Sequence, residues 1–412
     1  MDIAIIGGGA AGYFAAINIM EMLPTASVTI FEGGSRSLAK VLLSGGGRCN
    51  LTNTFNDVVS LERAYPRGAK LMKRAFRHFN QMDAVEWFER RGVALTAQSD
   101  ECIFPVSQSS QEVVDCLVEL AHELDVEVKH SHSVELIHPL DGGVYELQFA
   151  DPKLPSQRFD RVVVTTGGSP QLEGFAMLSE LDLAVESPCP SLFTFNLPND
   201  PITHLMGTVV ERAEVSLLGS KLSAEGALLI THWGMSGPAV LRLSSYGARF
   251  LADRGYEATL AVNWVCERST ERVMEELRRI IGEHGAKLVT SVRPFDIPTR
   301  LWMALLIKSG VAHERRFAEL GSKGLNRLVN TLTNDEYRIS GQSRFREEFV
   351  TCGGVSMGSI DMSSCESRRY RGVYFAGEVL DVDAITGGFN LQAAWSTAFV
   401  VARSIANAGV VE

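Results

Sequence analysis

At 412 residues, with 45% of its side chains apolar, the chain is long enough to bury a sizeable core and to divide into two or three domains. Its 39 Lys and Arg against 49 Asp and Glu leave a formal charge of −10, a field that repels phosphates and anionic membranes, so neither a nucleic-acid partner nor a membrane is expected, although a local basic groove is compatible with that sum. No apolar run reaches membrane-spanning length and the chain opens on a buried-strand pattern, which makes the cytoplasm the expected compartment.

The seven cysteines are scattered, odd in number and without a CxxC pair, so neither a disulfide framework nor a structural zinc site is expected. His130 and His132, two apart, read as a solvated strand face.

The first elements are a β-branched run, DIAII, the turn Gly7-x-Gly9-x-x-Gly12, a helix through YFAAINIMEML, and a second strand, SVTIFE, ending in Glu32. One glycine permits the tight turn, one lets a pyrophosphate approach the backbone, and one lets the helix pack against the sheet. The helix N-terminus then faces phosphate, and Glu32 suits the two hydroxyls of an unphosphorylated adenosine ribose. This pattern predicts an ADP site and leaves NAD and FAD both open.

Residues 42–53, LLSGGGRCNLTN, raise three possibilities: a phosphate loop, a redox centre or a plain turn. A C-x4-C pair would need a cysteine where Thr54 stands, so a dithiol cycle is not expected unless a distant cysteine folds in. Gly45, Gly46 and Gly47 instead predict backbone passing close to a cofactor. Arg48 offers a fixed charge to a pyrophosphate or substrate anion, and Asn50 and Asn53 offer donors and acceptors. Cys49 reads either as a poised thiol or as a small space-filling residue.

Apolar spacing predicts one long helix over 69–92 and a serine-capped one over 109–124, followed by strands in VEVKH, SVELIHPL, VYELQFA and RVVVTT, the last leading into Thr166, Gly167 and Gly168. Four prolines in residues 186–201 end this region. The chain then turns β-rich and afterwards helical, with no nucleotide turn of its own. Within it, ITHWGMSGPAVL places His232 before a helix beginning near Pro238, and His232 is the best candidate acid or base in this stretch.

SRFREEFV reads as a charged strand leading to TCGGV, whose glycines suit backbone beside a flavin ring. The end of the chain reads RGVYFAGE, then Ile385, Thr386, Gly387, Gly388, Phe389 and Asn390 opening a long helix. A second glycine-rich helix N-terminus far from the first predicts a second contact on one extended ligand, which points to FAD. Asp381 and Asp383 read as turn residues or as paired carboxylates for acid–base work, and Glu378 stands where the resemblance to the wider class of FAD proteins implies a carboxylate on a ribityl hydroxyl or bridging water.

GxGxxG, LLSGGGRCNLTN, THWGMSGPAVL, TCGGV and AGEVLDVDAITGGFNLQAAWS together resemble the bacterial NAD(P)/FAD-dependent flavoproteins that include aminoacetone oxidase and a reductase of bile-acid 3-oxo intermediates, over residues 1 to about 407. The resemblance implies an α/β fold: a discontinuous, glutathione-reductase-like Rossmann domain over 1–187 and 346–412, holding an inserted domain over 188–345, β-barrel-like over 188–265 and helical over 266–345. The candidate FAD contacts are Gly7, Gly9, Ala10, Ala11, Gly12, Glu32, Gly33, Lys40, Ser44, Gly46, Gly47, Arg48, Cys49, Asn50, Thr166, Gly167, Gly168, Gly354, Gly377, Glu378, Gly387, Gly388, Phe389 and Asn390; His232 and Cys49 are the candidate catalytic groups. The expected function is hydride transfer between flavin N5 and a small organic substrate, with NAD(P)H docking transiently as donor because no second nucleotide fold is present. An amine oxidase using O2, a flavin-dependent RNA-modifying enzyme and a flavin-loaded binding protein are the alternatives. The net acidity and the missing paired cysteines count against the RNA-modifying one.

Overall fold

Apolar strands with no polar face need cover on both sides, and four such strands, with a short charged one at the edge, form a parallel core. In the computed structural model, which describes residues 1–341 and 350–409, they run in the order Val373–Phe375, Arg161–Val164, Asp2–Ile6, Ser27–Phe31, Glu127–Lys129. Ile5 sits between Val163 and Ile30 and has no exposed surface. Two short antiparallel strands, Ile360–Asp361 and Glu366–Ser367, extend one edge. The chain therefore adopts the expected α/β Rossmann-like architecture.

The first helix, Ala10–Met22, is buried along residues 11–19 because the sheet lies on one side and the last helix, Phe389–Gly409, on the other. Phe14 joins them to the intervening segment through Phe79, Trp87, Phe88 and Trp395, with ring centroids 4.6 to 6.3 Å apart. Tilted and edge-on pairs of this kind contribute about 0.5–1.5 kcal/mol each beyond burial.

The long helix expected over 69–92 is two helices, Ala69–Ala75 and Gln81–Glu89. Asn80 stops the first and caps the second: its side chain accepts from Met82 and Asp83 N–H, and Asp83 accepts from Asn80 N–H at 2.7 Å. This reciprocal box satisfies donors that a continuous helix would have bonded internally. The helix over Ser110–Glu123 has its cap at Ser109, which accepts from Gln111 N–H. The proline-bearing segment Val185–Ser191 is itself a strand, paired with Val350–Val355.

The chain divides into two compact units, one of Met1–Pro190 with Val350–Glu412, the other of Ser191–Phe349. In the second, six antiparallel strands run in the order Phe195–Asn196, Gly234–Ser236, Ser223–Ile230, Val209–Leu217, Glu257–Asn263, Asp335–Ser340. Asn196 Nδ2 donates to Ser340 O at 3.1 Å, drawing the two outermost strands together at one end. Asp335–Ser340 lies in the stretch expected to be helical; its alternation buries Asp335, Tyr337 and Ile339 and exposes the residues between, a strand period. Of the charged strand expected over 343–350 only Val350 is described, where it opens the strand Val350–Val355; the rest of it and the domain boundary at 345/346 lie outside the described residues. Among the described residues no helix is long and apolar enough to cross a membrane.

Candidate functional site

The site lies in the first unit and begins at the turn after the first strand. Gly7 has φ +107°, and a Cβ there would lie 2.6 Å from Thr165 O; one on Gly12 would lie 2.1 Å from Gly7 O. Thr165 Oγ1 donates to Ile6 O and Gly7 O at 3.0 and 2.9 Å, which fastens the turn to the neighbouring strand. Gly9 is different: nothing lies within 4 Å of where its Cβ would stand, directly ahead of Ala10 and the first helix. Glu32 reaches the same turn, accepting from Gly8 N–H at 2.8 Å and Gly34 N–H at 2.6 Å. Each carboxylate oxygen keeps a lone pair for a further donor. Gly33 meets Ser133 at ordinary contact distance, so nothing there requires glycine.

The residues that opened as a puzzle, 44–53, fold against the far end of the chain. Ser44 leaves the helix at ψ 146°, and Gly45, Gly46 and Gly47 follow with φ +59°, +69° and +84°. Gly45 packs on Asn50 and Phe104, whereas Gly46 and Gly47 face open space. Arg48 does not project as a free cation: its Nε donates to Gly45 O at 3.1 Å and its guanidinium lies 4.4 Å from the centre of the Phe104 ring. With its amide turned to suit both partners, Asn50 donates to Thr52 O at 3.0 Å and accepts from Gly388 N–H at 3.1 Å. Asn53 Nδ2 donates to Gly387 O at 3.0 Å, Thr52 Oγ1 to Gln392 at 2.6 Å, and Trp395 Nε1 to Leu51 O at 3.0 Å. A Cβ on Gly388 would stand 2.2 Å from Thr52 O. Asn390 closes its own loop, bonding the N–H and C=O of Ala384 at 2.9 and 3.2 Å.

Gly377 packs between the first turn of the first helix and the second turn of the last: a Cβ there would be 3.0 Å from Ala11 Cβ and 3.9 Å from Ala394 Cβ. The start of the first helix and the second turn of the last therefore pack beside one strand end. Glu378 accepts from Lys40 Nζ at 2.9 Å and from Thr351 N–H at 2.8 Å. Gly168 fits against both Thr351 and Glu378, and Gly354 against Val379 O. Thr166 and Gly167 lead into this contact, with Gly167 3.8 Å from Lys40 Nζ by the same measure. Each Glu378 oxygen thus holds one protein donor and, as in Glu32, keeps a lone pair for another; Ser44 Oγ donates to Val41 O, and Phe389 O accepts from Tyr65 OH at 2.9 Å.

Three features were not legible from spacing. Arg67 and Asp383 form a bidentate pair whose side chains are 10% and 0% exposed; nothing local announces a partner 316 positions away. Cys189 and Cys352 meet across the paired strands, and hydrogen bonding between them, followed by burial, pushes the Cys352 thiol up. Tyr65 locks onto the last helix through a segment that carried no motif.

Cys49 is wholly buried and burial pushes its thiol up to about 12. Near pH 8 only about one molecule in ten thousand then carries the thiolate. Iodoacetamide at that pH is therefore expected to leave Cys49 unmodified in the folded protein and to label it after unfolding, as read by peptide mass spectrometry; rapid native labelling would contradict the burial. His232 is exposed in the second unit, edge-on to Trp233 at 4.2 Å, and belongs to a different unit from the glycine turns.

The family model described as the HI0933-like protein Rossmann domain matches residues 1–404. The chain is 27% identical over 409 residues to a ribosomal RNA dihydrouridine synthase of Haemophilus influenzae, covering 97% of each chain. It is likewise 27% identical over 412 residues to a 3-dehydro-bile acid delta(4,6)-reductase of Clostridium scindens, covering 98% of each. A solved 3-ketosteroid-delta4-(5alpha)-dehydrogenase from Rhodococcus jostii shares the fold at 14% identity and a TM-score of 0.50, over 98% of this chain and 96% of that one. With the family model spanning nearly the whole sequence, the chain belongs to the HI0933-like Rossmann-domain family of flavoprotein oxidoreductases.

Proposed function

We propose that the protein binds FAD along this cradle and reduces a carbon–carbon double bond conjugated to a carbonyl, with NAD(P)H as electron donor. The observation that carries the reading is that the start of the first helix and the second turn of the last both pack on Gly377, with Gly9, Gly46 and Gly47 turned to open space. A dinucleotide fits such a surface because it needs uncovered N–H groups at one end for its pyrophosphate and at the other for a ring that becomes negative on reduction. The two curated relatives named above support the reaction class. Forming dihydrouridine from uridine and saturating a Δ4,6 double bond of a 3-oxo steroid are the same change, a hydride and a proton added across a bond polarised by a carbonyl.

In this reading Ala10, Ala11 and Gly12 present the first N–H groups to the pyrophosphate, and Glu32 holds the adenosine ribose while its charge disfavours a 2′-phosphate. The N-terminus of the last helix supplies partial positive charge at the other end, held in place by Asn50, Asn53 and Tyr65. FAD supplies hydride chemistry at N5. NAD(P)H is oxidised to NAD(P)+, and the substrate gains two electrons and two hydrogens. Replacing Glu32 by alanine removes the acceptor that two backbone N–H groups and the ribose share, and about a 10-fold to 100-fold weaker flavin affinity is expected by fluorescence titration.

Anaerobic mixing tests the whole. The flavin is expected to bleach with NADH or NADPH and to recover its colour when a 3-oxo-Δ4 steroid or uridine-containing RNA is added without oxygen. Recovery with O2 alone, after reduction by an amine, would replace this reading by the oxidase.

A further inference from the structure

Between Glu62 and Asp83 there is no carboxylate, yet there are six Lys and Arg. The fold sorts them. Lys70, Lys73, Arg74 and Arg77 recur at i, i+3, i+4 and i+7 and are all exposed, while Leu71, Met72 and Ala75 fill the core beneath. The helical turn continues past Ala75 through Arg77 N–H to Arg74 O, so the four share one face. The last helix has one charged residue among 389–409, Arg403, and it donates to His78 beside this face. None of Lys70, Lys73, Arg74, Arg77 or Arg403 is ion-paired among the described residues; Arg74 bonds Ser363 Oγ instead, at 3.2 Å. Nearby carboxylates are Glu62, held by its own backbone and Ser60, and Asp361, which caps Ser363 N–H. Burial and then the charges of Arg403 and Arg77 hold His78 below its ordinary value, in keeping with a crowded positive field.

The segment leading into this helix is fastened to the loop before the last helix: Ala64 O accepts from Ile385 N–H at 2.9 Å, and Arg67 pairs with Asp383. Arg403 lies fourteen residues beyond Phe389, about 21 Å along the helix. A polynucleotide can span that distance, whereas a single nucleotide cannot.

We propose that the exposed face of Lys70, Lys73, Arg74 and Arg77, extended by Arg403, docks the phosphates of a structured RNA. This names a partner for the function proposed above. Unpaired cations at helical spacing suit a phosphate backbone, and the absence of exposed apolar side chains between them on this face disfavours insertion into lipid. The acidic remainder of the chain repels phosphate and so orients RNA onto this face.

The test compares the flavin-loaded protein with its K73E/R74E/R77E variant, using purified bacterial ribosomal RNA in filter binding over a salt series. The variant is expected to lose at least about 100-fold in affinity near physiological salt and to flatten the log–log salt slope by about three. Its flavin content, melting temperature and reduction of a small enone are expected to match those of the parent. Wild-type affinity and slope in the variant, or binding by the parent of anionic phosphatidylglycerol vesicles but not RNA, would overturn the docking face. Enone reduction without RNA binding also overturns it while sparing the reductase. RNA binding lost in the variant, with neither a small enone nor the uridines of the RNA reduced by either protein, supports the face and overturns the reductase.

Discussion

Gly388→Ala is expected to yield a folded protein that purifies with little flavin, its affinity down by about 100-fold or more. Three observations combine at this position. Its φ of +87° is strained for any L side chain, at about 1–2 kcal/mol. An added Cβ would stand 2.2 Å from Thr52 O, a backbone atom, so relief requires moving chain. That chain is held from the other side by Gln392, on Thr52, and by Trp395, on Leu51, so the strain returns to the helix start itself. Displacing the helix start also breaks the N–H bond to Asn50. Gly92→Ala is the control: its φ is +88°, but nothing lies within 4 Å of the added carbon. That variant should lose about 1 kcal/mol of stability and keep its flavin. The ratio of 450 to 280 nm absorbance after purification, with a fluorescence titration, reads both; stoichiometric flavin in Gly388→Ala would refute the cradle.

The second large effect concerns Arg67. Its guanidinium is nearly buried on a carboxylate that has no exposed surface, so truncating either partner leaves an uncompensated charge inside the protein. Arg67→Met or Asp383→Leu is expected to cost about 3–5 kcal/mol in urea unfolding. The double variant should recover most of that loss, because two apolar side chains need neither water nor each other's charge. A double variant no more stable than the worse single would show that the pair orders the 380–389 loop in a way shape alone does not replace.

The glycine turn and Glu32 were readable because their chemistry is local: a turn, a helix start and a strand end lie within thirty-two residues, each with its own steric demand. The break at Asn80 was also local, an Asn followed three residues later by Asp, but the apolar stripe running through it masked the cap. Residues 45–53 were legible as a glycine-rich turn yet not in their particulars. Arg48 lies on Phe104 and Asn390 bonds Ala384, contacts that no spacing announced. Donors and acceptors in a sequence do not reveal which partner will be nearest.

Sequence alone therefore determined the strand–turn–helix units and the two glycine-opened helix starts, since backbone sterics and apolar burial act over a few residues. Only the tertiary structure decided that both helices pack on Gly377, that Arg67 finds Asp383, and that the cations of 70–77 gather on one side without a carboxylate partner. A net charge of −10 is a sum over the whole chain, whereas electrostatic interactions in salt fade within about 10 Å, so what a surface attracts depends on which charges folding makes neighbours.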